Sequence, residues 1–305
     1  MNILFIYPKY PDTVWSFNHA LKFIRKKAAN PPLGLLTVAA MLPDEFHRRV
    51  VDVNVDGLTD ADLAWADVAF IGAMAVQRES AKQIIARCKA TGVKVIAGGP
   101  LFTAEPDAFE EVDHLVLDEA ELTLPGFLED LKSGHLKKIY RAAGFCDLHQ
   151  TPSPAWDLID MKKYASLSIQ FSRGCPFNCD FCNVTVLFGH RPRLKSAQQV
   201  LAELDHLYDA GWRNDIFFVD DNFIGNKKQL KSEVLPALIE WRKDKVGMPF
   251  STEVSINLAD DAELLGLMTL AGFDTVFVGI ETPNEDSLAE CSKTQNRGRD
   301  LVESV

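Results

Sequence analysis

The stretch Leu167-Ser-Ile-Gln-Phe-Ser-Arg-Gly-Cys-Pro-Phe-Asn-Cys-Asp-Phe-Cys182 sets three thiols, Cys175, Cys179 and Cys182, on a short segment directly after an apolar strand. Four cysteines normally saturate a cubane iron-sulfur cluster, so the C-x3-C-x2-C spacing points to a cluster with one iron left open. Gly174, Pro176 and Asn178 are residue types that let a loop wrap closely around a bulky inorganic core. The carboxyl end of a strand is also where α/β proteins place their sites. Two alternatives stand beside the cluster: structural zinc held by the three cysteines and His190, and thiols that only fill the core.

Working outward from this loop, apolar runs and helical patterns alternate in both directions. Downstream, strands are expected at Leu167 to Phe171, Asp215 to Val219, Pro249 to Val254 and Thr275 to Gly279. Helices are expected over Ser196 to Ala210, Lys227 to Lys245 and Ala259 to Ala271, with another starting near Asn284. Upstream, strands are expected at Ile3 to Tyr7, Arg49 to Val53, Val68 to Gly72, Val93 to Ala97 and Leu115 to Leu117. The helical patterns between them cover Leu33 to Met41, Gln77 to Ala90, Asp107 to Glu111 and Glu121 to Leu131. Strands alternating with helices imply parallel sheets. The expected fold class is therefore α/β, with an N-terminal doubly wound, Rossmann-like domain (1–135), a connector (136–165) rich in glycine and proline, and a partial (β/α) barrel (166–305). The pattern stops at Val305 after four βα units, from which a longer parent protein is expected, a four-stranded open sheet being the alternative.

The bulk composition narrows the function. With 32 Lys plus Arg against 43 Asp plus Glu, the net charge is -11, and no basic block exceeds Arg25-Lys26-Lys27, which disfavours nucleic acid as a partner. No apolar run reaches the roughly 18 to 20 residues of a membrane span, and the N-terminus lacks a signal-peptide pattern, so a cytoplasmic location is expected. Six cysteines, three of them crowded together, look like metal ligands in a reducing compartment rather than a disulfide framework. The short amphipathic stretch Trp15 to Phe23 reads as cover for the core or for a ligand edge.

The C-x3-C-x-aromatic-C pattern, with Phe181 as its aromatic, resembles the signature of the radical S-adenosylmethionine superfamily. The resemblance implies a [4Fe-4S] cluster on Cys175, Cys179 and Cys182, with S-adenosyl-L-methionine on the open iron as the source of a 5'-deoxyadenosyl radical. It further implies cofactor contacts from Phe181, from Asp220 or Asp221 at the second strand's end, from Glu253 and Ser255 at the third, and from Glu281 at the fourth. Upstream, Pro31 to Leu42, Ala97-Gly-Gly-Pro100 and Leu117-Asp-Glu-Ala-Glu121 resemble the cobalamin-binding domain that precedes many such enzymes. Tyr7, Pro8, Met74, Gln77, Gly98, Gly99 and Pro100 are then expected to line the cobalamin edge. The D-x-H-x-x-G pattern that supplies a lower axial histidine is missing after the first strand; Asp147-Leu-His149 in the connector is a chance match. Glu119 and Glu121 are expected as helix-start acids.

Within the cobalamin-dependent group, Pro32 to Pro43 and Thr59 to Asp67 look most like the branch that includes hopanoid C-2 methylases. The resemblance implies a methyltransferase acting on an unactivated carbon of a small-molecule or lipid-like substrate, with electrons from a donor such as flavodoxin or ferredoxin. A cyclase or rearranging enzyme on the same scaffold, and a non-catalytic cobalamin or redox-binding protein, are the other two readings. No side chain is assigned as catalytic.

Overall fold

The computed structural model describes residues 1–13 and 16–305. Trp15 lies outside them; the rest of its amphipathic stretch includes one helical turn, Asn18–Leu21, with Leu21 buried and Phe23 exposed. The chain divides into two compact units, Met1–Cys146 with Gln150–Ala165, and Asp147–His149 with Ser166–Val305.

The first unit is built on six parallel strands: β1 (Asn2–Tyr7), β2 (His47–Asp52), β3 (Val68–Gly72), β4 (Lys94–Gly98), β5 (His114–Val116) and β6 (Ile139–Tyr140). Their spatial order is β2-β1-β3-β4-β5-β6. The run Ile3-Leu-Phe-Ile6 is fully buried because its alternating side chains serve two cores. Leu4 and Ile6 join Ala69, Ile71 and Ile85 on one face, while Ile3 and Phe5 join Val68, Phe70 and Phe127 on the other. The order reverses between β1 and β3, and at such a switch point the chain leaves the two strands in opposite directions and opens a crevice at their carboxyl ends.

Three departures from the sequence reading have local causes. The helix Asp60–Trp65 is too short for periodicity to reveal, and it is started by a capping box in which Thr59 and Asp62 satisfy each other's backbone N–H. Part of the expected connector is ordered as β6, where Leu117 N–H donates to the Tyr140 carbonyl. At Asp107 to Glu111 there is only a 3-10 turn, Pro106–Phe109, behind the helix Pro100–Ala104.

The second unit has four parallel strands, β7 (Leu167–Ile169), β10 (Ile216–Phe218), β11 (Phe250–Val254) and β12 (Phe273–Val278), lying side by side in chain order. An order that never reverses, with helices Ala197–Asp209, Leu235–Arg242 and Ala262–Ala271 in the crossovers, is the winding of a (β/α) barrel arc. Between β7 and β10 the chain makes a small antiparallel pair, β8 (Ser172–Arg173) with β9 (Arg193–Leu194), which brackets the cysteine loop. The helix expected over Lys227 to Lys245 is interrupted by a π turn at Leu230–Val234. Pro236 follows it, and a proline cannot bond the carbonyl four residues back. Phe218, Phe223, Phe250 and Phe273 pack ring on ring beneath the helices, with centroids 4.8 to 5.3 Å apart. Among the described residues no helix is long and apolar enough to cross a membrane.

Candidate functional site

The cysteine loop is held by backbone chemistry that begins at Gly174. Its φ is +100°, and a side chain there would press on the carbonyls of Gly189, Phe188 and Arg191, so the position requires glycine. Cys175 N–H donates to the Gly189 carbonyl at 3.3 Å, and Cys182 N–H to that of Cys179 at 3.0 Å. The three thiols are free and half-buried. Burial pushes the Cys175 thiol above its usual value, and the neighbouring Cys182, Asp221 and Cys179 push the same way. Thiolates rather than thiols ligate a metal cluster, whose cations compensate their charge. Three half-buried thiols on one loop can give a cubane one thiolate for each of three irons, so the donor set suits the cluster. His190 is exposed.

The two adjacent acids at the end of β10 do different things. Asp220 is wholly buried and turned back into the protein, where it accepts hydrogen bonds from Phe171 N–H (3.1 Å), Ser172 N–H and the Ser172 hydroxyl. By taking those backbone donors it ends β7 at Ile169, short of the expected Phe171, and fixes where the cysteine loop departs. Asp221 faces the loop, accepting from Gly174 N–H at 3.3 Å. Burial raises both carboxyls, Asp220 to about 7 in spite of its three donors.

A folded-state value above the unfolded one means that the native protein holds the proton more tightly. Asp220 therefore contributes stability that is full below about pH 4 and is lost as pH rises through about 7. Asp220→Asn cannot titrate, so the stability advantage of the natural protein over this variant should shrink as pH rises, approaching about 1.4 kcal/mol per pH unit between those values. Urea unfolding of both proteins from pH 4 to 8 measures this, and parallel stability curves would refute it.

Glu253 lies on the open side of β11, within reach of solvent. The surrounding protein still desolvates it enough to raise its carboxyl, with the charge of Asp221 adding to the effect. Ser255 is tied into a polar chain that the sequence did not suggest: its N–H donates to Asn222 Oδ1 at 3.1 Å and its hydroxyl to Asn257 Oδ1 at 2.5 Å. Glu281 takes a left-handed backbone (φ +63°) and pairs with Lys293 at 2.9 Å. The Lys293 ammonium also stands 5.4 Å from the centre of the Phe181 ring. Thus the structure brings Phe181 and Glu281 together through Lys293 and sets Asp221 against the cysteine loop, while Asp220 is confined to the backbone behind it.

In the first unit, the expected edge residues gather at the switch point. Gln77 is buried and braces the two strand exits, donating from Nε2 to the Pro8 carbonyl (2.5 Å) and accepting from Met74 N–H (2.8 Å). The Tyr7 hydroxyl is 2.6 Å from that of Tyr10, which donates to Met74 Sδ at 3.3 Å. Burial raises both phenols, so both keep their protons. Asn54, which the sequence did not single out, donates to the same Pro8 carbonyl and accepts from Tyr10 N–H. At β4, a side chain on Gly98 would meet the Val116 carbonyl at 2.5 Å, and Gly99 has φ +88°, so this exit stays free of bulk before Pro100 starts its helix. Met74 and Val76 leave apolar surface exposed beside it. A wide, flat, partly apolar ligand such as cobalamin fits this edge. Glu119 and Glu121 do more than start a helix: they accept from Cys146 N–H (2.8 Å) and the Thr151 hydroxyl (2.7 Å). His149 pairs locally with Asp147 at 2.8 Å.

Comparison with known proteins agrees with both halves. The radical SAM superfamily matches residues 169–304, and the B12 binding domain matches residues 25–128. An uncharacterised methyltransferase of Synechocystis is 46% identical over all of this chain and 57% of its own length. The hopanoid C-2 methylase of Rhodopseudomonas palustris is 37% identical over 99% of this chain and 58% of its own. The chain thus spans somewhat more than half the length of these relatives. Among solved structures, the cobalamin-dependent S-adenosylmethionine radical enzyme OxsB with aqua-cobalamin bound superposes on 99% of this chain and 46% of its own, with a TM-score of 0.74 at 18% identity, a likeness of fold.

Proposed function

Since the chain belongs to the radical SAM superfamily and carries a B12 binding domain ahead of its cysteine loop, we propose that it serves a cobalamin-dependent methyltransferase acting on an unactivated carbon. The observation that carries this reading is the loop of three free thiols at the carboxyl end of a parallel βα arc, in one chain with a switch-point edge shaped for a flat ligand. In this reading residues 1–135 hold cobalamin, 136–165 join the parts, and 166–305 belong to the radical core. The names of the two curated relatives support methylation, and that of the Rhodopseudomonas palustris protein favours a hopanoid or other lipid-like acceptor.

Bound together, the cluster and S-adenosylmethionine supply a 5'-deoxyadenosyl radical, and cobalamin carries the methyl group. The chain's own residues then have distinct tasks. Cys175, Cys179 and Cys182 hold the cluster as thiolates, and Gly174 and Asp220 fix the loop that presents them. Asp221, Glu253, Ser255, Glu281 and Phe181 line the S-adenosylmethionine side, where the carboxylates hold its amino and hydroxyl groups by charge-assisted hydrogen bonds. Tyr7, Pro8, Met74, Gln77, Gly98, Gly99 and Pro100 would line the cobalamin edge. The free thiols suit the cytoplasm, where a flavodoxin or ferredoxin delivers electrons.

Product analysis of the full-length reconstituted protein under reducing conditions tests the reading. Methylation yields 5'-deoxyadenosine and S-adenosylhomocysteine together. A cyclase or rearranging enzyme yields 5'-deoxyadenosine alone, and a binding protein yields neither.

A further inference from the structure

The segment after the short helix Glu285–Glu290 meets the cysteine loop at three points. The Cys291 carbonyl accepts from Asp180 N–H at 3.0 Å, Gln295 Nε2 lies 3.6 Å from Cys179 Sγ, and the Lys293 ammonium stands over Phe181. A thiolate can only accept, so the Gln295 amide must turn its NH2 toward the sulfur. Its other end, Oε1, is buried without a protein partner, which leaves the sulfur as the polar tie of this side chain among the described residues. Lys293 is itself buried, and its charge is met by Glu281, which is nearly half exposed. A cationic side chain is therefore fixed beside the loop.

Hydrogen bonds to cluster sulfurs and nearby positive charge both favour the more negative, reduced state of a cluster. Resting on the cluster reading above, we propose that Gln295 and Lys293 are positioning residues that raise the cluster's reduction potential. Gln295 does so by donating to the Cys179 thiolate, and Lys293 by holding its charge over Phe181. Both residues lie against the cysteine loop, so their effect belongs to the ease of electron entry. No earlier part of the sequence marks them: Gln295 meets a cysteine 116 positions away.

The test is an anaerobic redox titration followed by electron paramagnetic resonance, on full-length reconstituted protein, with iron and sulfide counted in each sample. Gln295→Leu should carry the natural iron content yet titrate at a more negative midpoint, with a smaller reduced fraction at a fixed potential. Lys293→Met should shift in the same direction, and Lys293→Arg, which keeps the charge, should restore the natural midpoint. If Gln295→Leu loses iron, the Lys293→Met and Lys293→Arg pair still decides. Unchanged midpoints at full iron content overturn the proposal. A natural protein that takes up no iron overturns the cluster reading, and this inference with it.

Discussion

Alanine at Cys179 is expected to empty the iron-sulfur site and abolish radical chemistry. The natural full-length protein should bind about four irons, and the variant close to none, because a cubane held by two thiolates lacks the ligands that keep it assembled. Formation of 5'-deoxyadenosine should fall below detection, a loss of at least about 10³-fold, since in this reading the cluster is what reduces the sulfonium. Cys175→Ala and Cys182→Ala should behave alike, as all three lie on the one loop fastened by Gly174 and Asp220. Cys88 is the internal control. It is buried in the first unit, its thiol pushed up to about 11 by burial, and Cys88→Ala should leave the iron content unchanged. Iron retained at the natural level in any of the three loop variants would contradict the assignment of that cysteine.

The largest effect on stability is expected at Lys195. Its ammonium and the Glu203 carboxylate form an ion pair at 2.5 Å, with both side chains only 3% exposed. Burial raises the Glu203 carboxyl while Lys195 pulls it back down, and among the described residues Glu203 Oε2 has no hydrogen-bond partner. The pair joins the end of β9, where Lys195 N–H donates to the Phe171 carbonyl at 2.8 Å, to the helix Ala197–Asp209. Removing one partner of a buried pair strands the other charge, so Lys195→Met should cost about 3 to 5 kcal/mol. The double variant Lys195→Met, Glu203→Leu should regain most of that, because an apolar pair of similar volume needs no compensation. Urea unfolding of the natural protein and these two variants checks both statements. A single-variant loss under about 1 kcal/mol would mean that water reaches the pair.

Which features were legible in the sequence follows from how far apart the cooperating residues lie. The cysteine loop, the glycines at Gly98 and Gly99 and the buried run Ile3 to Ile6 act through their neighbours, and spacing or periodicity displays them directly. The alternation of strands and helices showed the parallel sheets, and the expected doubly wound domain and barrel arc are present, but which strands flank the reversal, β1 and β3, is a long-range property that spacing does not display. Asp220 and Asp221 are consecutive acids that point to opposite sides of one chain, so composition could not say which was buried behind the loop and which faced it. Lys195 with Glu203, and Gln295 with Cys179, are joined only by folding. β6 is two residues long, too short for any period to register.

The central claim is that one protein carries a site-differentiated cluster and cobalamin together. Its most direct test is an anaerobic count of iron, acid-labile sulfide, zinc and corrin in the full-length protein after reconstitution. About four irons, a matching amount of sulfide and about one cobalamin per chain are expected. Stoichiometric zinc in place of iron, or iron without any retained corrin, would contradict it.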